Sequence, residues 1–386
     1  MAIARRPAFE TDEYQRRIER VRASMAQRSL DGLVLVGPHN INYLSGMDSE
    51  NLFDFQALIV PLEGEPDLVI FDFELGRAEA SSWLAKPSAY TSFEDPVTAT
   101  LQAVSRAGLS RVRIGLEQRA TTVSAGTLTR LADGLSEARL EDAFGIVEGV
   151  RLVKSEAEIA YIRRAAALTD AAVLAGYAAM RVGVADHEVA AAIMGSLYGS
   201  GSETVCWGPI VASGYLAGAA HSSFNGRRLE AGDTVFLELT GEVRRYVAPL
   251  MRTAILGEPT PEQAAVAAAG AEAVQTLLRE SRAGRPASEV AKIVGEVVAP
   301  ILDRVVFHHY FGYPVGIGMP PSWIEALGFF IRVDEDRPLE EGMVFHLPMS
   351  FRRYGEWGIN QSHTMLVRAD GAEALTRTEA ALQVLA

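Results

Sequence analysis

Cysteine is nearly absent from these 386 residues: Cys206 stands alone, which excludes a disulfide framework and any cysteine-based zinc or iron–sulfur site. Positive charge is also scarce. Lys and Arg number 36 against 49 Asp and Glu, a net charge of −13, so nucleic acid and anionic membranes are disfavoured partners, because binding either one starts by neutralising phosphate. No apolar run reaches the roughly 18 residues needed to span a bilayer. The opening segment reaches Arg5 and Arg6 without the apolar core of a signal peptide. These absences lead to the expectation of a soluble, cytoplasmic protein with no membrane or nucleic-acid partner. The remaining composition is ordinary, 48% hydrophobic and 22% charged, which predicts a folded chain of two or three domains at roughly 150 residues each.

Residues 11–29 place Tyr14, Ile18, Val21 and Met25 at helical spacing. Short β-rich runs follow at 32–37, 57–61, 67–72 and 112–116, with helical stretches near 74–85 and 122–134. This alternation predicts an α/β domain over residues 1–150. Beyond it, Ser155 followed by Glu158 three residues later is the signature of a capped helix start.

The second half of the chain repeats itself. Arg181-Val-Gly183 with Glu188-Val-Ala190 recurs as Arg282-Ala-Gly284 with Glu289-Val-Ala291, and Leu229-Glu-Ala-Gly232 recurs as Leu339-Glu-Glu-Gly342. Both pairs fall in the same order with similar offsets, and each copy reads as two helices and then a glycine turn launching a strand pair. Residues 151–386 are therefore expected to form one domain of two related halves, helices backing a curved sheet, with a cleft at the seam.

Seven histidines are available for chemistry. His187 reads as a solvated helix position and His39 as a structural residue in a turn entering a strand. His221 follows the loop Ala212-Ser-Gly-Tyr-Leu-Ala-Gly-Ala-Ala220, whose small residues leave room for a ligand. His346 interrupts the apolar run Met343–Met349, and His363 begins another. Glu238 sits inside Thr234-Val-Phe-Leu-Glu-Leu239, where a carboxylate costs several kcal/mol unless paired or hydrogen-bonded. It therefore points at an arginine or into the cleft, and the cleft is favoured because buried charges mark sites.

At these residues the chain resembles the creatinase/prolidase/methionine aminopeptidase superfamily, the pita-bread fold. The matching stretches run in order through most of the chain: Asn40-Ile-Asn-Tyr-Leu-Ser-Gly46, Arg151 to Ala165, Ile210-Val-Ala-Ser-Gly214 with His221, Gly232-Asp-Thr-Val-Phe236, Arg252-Thr253, Phe311-Gly-Tyr-Pro-Val-Gly-Ile-Gly318, and Leu339 with Gly342-Met343. The resemblance implies an α/β N-terminal domain plus an α+β pita-bread C-terminal domain, whose pseudo-two-fold symmetry accounts for the repeat. It also implies a homodimer in which the N-terminal domain reaches the partner's active site. The metallopeptidases of this family hold two metal ions with two aspartates, a histidine and two glutamates. Here those five positions fall on Glu238, Pro249, Val315, Pro348 and Ser362. Prolines and a valine offer no side-chain ligand, so no metal or other cofactor is expected.

Among metal-free members the chain resembles creatinase and, more closely in Phe236-Leu-Glu-Leu239 and Gly312-Tyr-Pro-x-Gly-Ile-Gly-x-Pro-Pro-x-Trp323, the ectoine hydrolases. Both cleave a C–N bond of a small amidine-like compound. Creatinase's guanidinium-binding glutamates fall on Met251 and Ser362, and its carboxylate-binding arginine falls near Asp54, which disfavours creatine. The stretch 46–54 departs from ectoine hydrolase as well, and its acids, Asp54 among them, suit a cationic group. The resemblance makes His221 the acid/base. Glu238 is expected to pair with the substrate cation or attack as a nucleophile, and His346 and His363 to polarise an oxyanion. Trp207, Tyr310, Tyr313 and Trp323 are expected to wall the pocket, with Glu325 a second anion. Three functions compete: a metal-independent hydrolase of a small cyclic amidine or amide, a creatinase-like amidinohydrolase on another guanidino compound, and a non-catalytic small-molecule binding protein.

Overall fold

A computed structural model describes residues 5–325 and 328–386. The chain divides into two compact units, Met1–Arg151 and Leu152–Ala386. Among the described residues no helix is long and apolar enough to cross a membrane.

In the first unit a mixed six-stranded sheet runs in the order Ser88–Tyr90, Asp67–Phe71, Ala57–Pro61, Gly32–Leu35, Arg113–Leu116, Arg139–Asp142. The two central pairings around Ala57–Pro61 are antiparallel and the others parallel. Helix Thr11–Gln27 buries Tyr14, Ile18, Val21 and Met25, the face its sequence spacing predicts. The segment Pro38–Ser45 is a helix rather than a turn into a strand: Pro38 occupies its first turn and Gly46, with φ of 74°, ends it. A further helix, Pro96–Arg106, starts where the Asp95 carboxylate accepts a hydrogen bond from the Thr98 amide at 3.1 Å.

The second unit is the two-fold repeat made physical. Its first half packs helices Glu156–Ala179 and Asp186–Gly199 behind a sheet ordered Gln383–Leu385, Leu250–Leu256, Thr234–Leu239, Ile210–Ser213. Ser155 and Glu158 form a complete capping box at the start of the first helix. The second half places helices Pro261–Glu280 and Ala287–Val298 against Tyr313–Met319, Val344–His346, Thr364–Val367 and the hairpin Met349–Arg353/Trp357–Gln361. Equivalent bonds tie each half together. The Gly183 amide donates to the Leu229 carbonyl and the Gly284 amide to the Leu339 carbonyl, both at 2.8 Å. The Gly232 amide donates to Leu256 and the Gly342 amide to Val367. Each half has its own apolar core, one centred on Val173, Ile193 and Leu237 and the other on Val274, Val294 and Phe345. The short strand Tyr246–Val247 joins the halves through the register of Tyr246 with Ile317.

Candidate active site

Strand phase builds the site. In Thr234–Leu239 the residues Val235, Leu237 and Leu239 face the helices, which leaves Phe236 and Glu238 on the opposite face. Glu238 pairs in register with Ile210 on one side and Met251 on the other, so its carboxylate stands in the middle of an apolar sheet. The hairpin strand of the second half has the complementary phase. Met349 and Phe351 enter the core, while Pro348, Ser350, Arg352 and Tyr354 turn the other way. Between these two faces lies a cavity of about 380 Å³, at the small end of the ~300–1,000 Å³ typical of ligand pockets. It lies at the seam of the two halves of this unit.

Six of the expected residues line it: His221, Glu238, Trp207, Tyr310, Tyr313 and Trp323. Trp207 stacks against His221 with ring centroids 5.7 Å apart and contacts Trp323 at 5.3 Å. His221 adopts a left-handed backbone, φ 56°, as the loop turns. Its loop is pressed against the hairpin: a side chain at Gly358 would meet the Ala217 carbonyl, and one at Gly218 the Arg353 carbonyl. Tyr310 lies flat on His308 at 3.8 Å and edge-on to Tyr313. Burial pushes the Glu238 carboxyl up to about 7, partly offset by the Arg352 guanidinium. Burial and then the Glu238 charge raise the phenol of Tyr313, and do the same for Tyr310.

Four expected residues are not on the cavity. His346 is fully buried behind its wall, with Nδ1 2.7 Å from the Tyr313 hydroxyl and Nε2 2.7 Å from the Ser362 hydroxyl. Both ring nitrogens are committed, so His346 holds Tyr313 in place rather than polarising an oxyanion; Trp323 Nε1–H donates to the same phenol oxygen at 2.9 Å. His363 Nδ1 lies 2.8 Å from the Thr376 hydroxyl, and the residue is not among those lining the cavity. Glu325 is buried in an ion pair with Lys154 at 2.8 Å, satisfied inside the fold and not offered to a ligand. Asp54 belongs to the first unit, where Asn51 donates to it at 2.7 Å, and it is not among the lining residues.

Arg352, His308, Phe307 and Ser350 line the cavity without having been singled out in the sequence. For Ser350 and Arg352 the signal was present in the alternation of 348–354, once that stretch is known to be a strand.

The donor chemistry at the five positions that hold metal in the family's metallopeptidases does not suit a metal pair. Glu238 supplies one carboxylate; Pro249 contributes its carbonyl to the Thr364 hydroxyl at 2.8 Å; Val315 is buried in a strand; Pro348 has no donor. The Ser362 hydroxyl accepts from the Met251 amide at 2.7 Å and contacts His346. Among the described residues no three His, Cys, Asp or Glu side chains converge on a point that a cation would occupy.

Comparison with known proteins agrees with the architecture. The profile of metallopeptidase family M24 matches residues 160–369, more than half of the chain, and that of the creatinase/prolidase N-terminal domain matches residues 17–153. The ectoine hydrolase of Halomonas elongata is 27% identical, with 95% of this chain and 96% of that protein covered. The Xaa-Pro dipeptidase of Pyrococcus horikoshii is 22% identical, with 95% and 99% covered. A prolidase crystal structure from Thermococcus sibiricus superposes with a TM-score of 0.85 at 20% identity, over 96% of this chain and 99% of that one.

Proposed function

Because the chain belongs to metallopeptidase family M24, a family of hydrolases, we propose that it hydrolyses a C–N bond of a small cyclic amidine or related amide without a metal ion. The observation that carries this reading is a cavity lined by both His221 and a buried carboxylate, Glu238, in a chain where the other four metal-holding positions of the family's metallopeptidases are two prolines, a valine and a serine. The similarity to an ectoine hydrolase supports it.

The chemistry follows from the side chains. Water adds to the amidinium carbon while His221 accepts its proton, and the imidazolium then protonates the departing ring nitrogen. The ring C–N bond breaks, which leaves an amide on one nitrogen and an amine on the other. Glu238 opposes the cationic N–H groups of the substrate. Its high pKa is the counterpart of this role: the carboxylate is costly while alone and becomes stable when a cation arrives. Trp207, Tyr310, Tyr313 and Trp323 exclude bulk water, so the ion pair forms in a low-dielectric setting.

The test is turnover of ectoine and related cyclic amidines, followed by mass spectrometry with and without a chelator. Activity should survive chelation, and His221→Ala and Glu238→Gln should each lower kcat by about 100-fold or more. Activity abolished by the chelator and restored by manganese, or cleavage of an Xaa-Pro dipeptide in preference to every amidine, would sink the proposal.

A further inference from the structure

Two neighbouring arginines on one strand have opposite fates. Arg353 faces outward and is paired with Glu262 at 2.6 Å and Glu356 at 3.0 Å. Arg352 faces inward, lines the cavity and is 9% exposed. Among the described residues it has no carboxylate within 4 Å, and its Nε has no hydrogen-bond partner. A guanidinium buried in this way is costly, because it leaves water without gaining a counter-charge.

The surroundings fix where it points. Its backbone is held on one side by two bonds with Val306, whose amide donates to the Arg352 carbonyl at 2.8 Å and whose carbonyl accepts from the Arg352 amide at 3.1 Å. Its guanidinium lies over the Phe236 ring at 5.9 Å. Phe236 is two residues from Glu238 on the same face of its strand, so one cavity wall presents a carboxylate beside the place where the facing wall presents a cation. The two feel each other's charge without forming a contact ion pair. A planar guanidinium with free N–H groups matches a carboxylate bidentately.

We propose that Arg352 is the carboxylate-binding residue of this cavity, so that its ligands are small zwitterions carrying a delocalised cation for Glu238 and a carboxylate for Arg352. The inference rests on the amidine reading for the cation but is separable from it, because it concerns binding of the anionic end. It makes the cavity a receptor for a molecular dipole whose two charges replace the ones that the protein leaves unpaired.

Two pairs of probes test it by titration calorimetry: ectoine against 2-methyl-1,4,5,6-tetrahydropyrimidine, which lacks the carboxylate, and 4-guanidinobutyrate against butylguanidine. In at least one pair the wild-type protein should prefer the carboxylate-bearing member by roughly 10- to 100-fold, the effect of one or two charge-assisted hydrogen bonds. Arg352→Gln should erase that preference, with the loss of affinity falling on the carboxylate-bearing member, and Arg352→Lys should restore part of it. Equal wild-type affinities within both pairs, an Arg352→Gln loss shared equally by both members, or no binding by any probe would overturn the inference. Selective binding of a zwitterion without turnover would overturn the hydrolase reading and leave the assignment of Arg352 standing.

Discussion

Glu238 and four buried histidines pull the stability of this protein in opposite directions as pH changes. Burial lowers His39, His308, His346 and His363 to about 3. The folded chain keeps them neutral where the unfolded chain, with ordinary values near 6.5, binds protons, so their contribution is present above pH 6.5 and drains as the pH falls toward 3. Glu238 behaves inversely. Its folded value of about 7 exceeds the ordinary 4.5, so its contribution is complete below pH 4.5 and is lost as the pH rises to 7. At about 1.4 kcal/mol per tenfold change, that loss is on the order of 3 kcal/mol. Glu238→Gln should therefore gain stability relative to wild type between pH 5 and 8, read as the difference in denaturation midpoints at the two pH values. A difference that does not change with pH would show that the carboxyl titrates normally. Glu238 was legible in the sequence because an acid inside an apolar strand has few places to go, and His221 because its loop is built of small residues. Arg352 was not legible: an Arg-Arg pair reads as solvated surface until the strand phase shows that the first of the two turns inward.

At the scale of elements, the site depends on two backbones meeting where no side chain fits. The loop that delivers His221 and the hairpin that delivers Arg352 touch through Gly218 and Gly358, each facing a carbonyl of the other segment. Gly358→Ala should push the loop away from the hairpin, at a cost of about 2 kcal/mol or more in stability. Thermal denaturation gives the first readout. The second is kcat/KM, expected to fall further than the stability loss accounts for, because His221 moves with the loop. An unchanged melting temperature would mean that the two segments slide apart freely. The elements themselves were unevenly visible. Alternating strands and the capping box at Ser155 announce themselves by local chemistry. The histidine strand at 344–346 was visible as a strand, but the direction of the His346 ring was not, because it depends on Tyr313 in another strand and on Ser362 in the link between two more.

For the whole molecule, duplication is the organising fact, and sequence revealed it because turn glycines and helix starts repeat at nearly constant offsets. What the offsets alone left unread is where the symmetry breaks. The step from Gly232 to Gly342 carries Glu238 onto Pro348, which lines the opposite side of the same cavity. A symmetric cleft would face carboxylate with carboxylate and welcome a spherical cation; this one faces an acid with a proline and, four residues on, an arginine. On the proposed reading a guest is held at Glu238, at Arg352 and against the Trp207–His221 wall, three points that do not lie on a line of symmetry. Three such contacts distinguish mirror images, so racemic ectoine supplied to the protein should leave one enantiomer behind, as chiral chromatography of the residue would show; equal consumption of both hands would mean that one of the three contacts is idle. On that reading the two halves offer a guest unlike contacts, an acid from one and an arginine from the other, and this inequality fixes which way round the guest must lie.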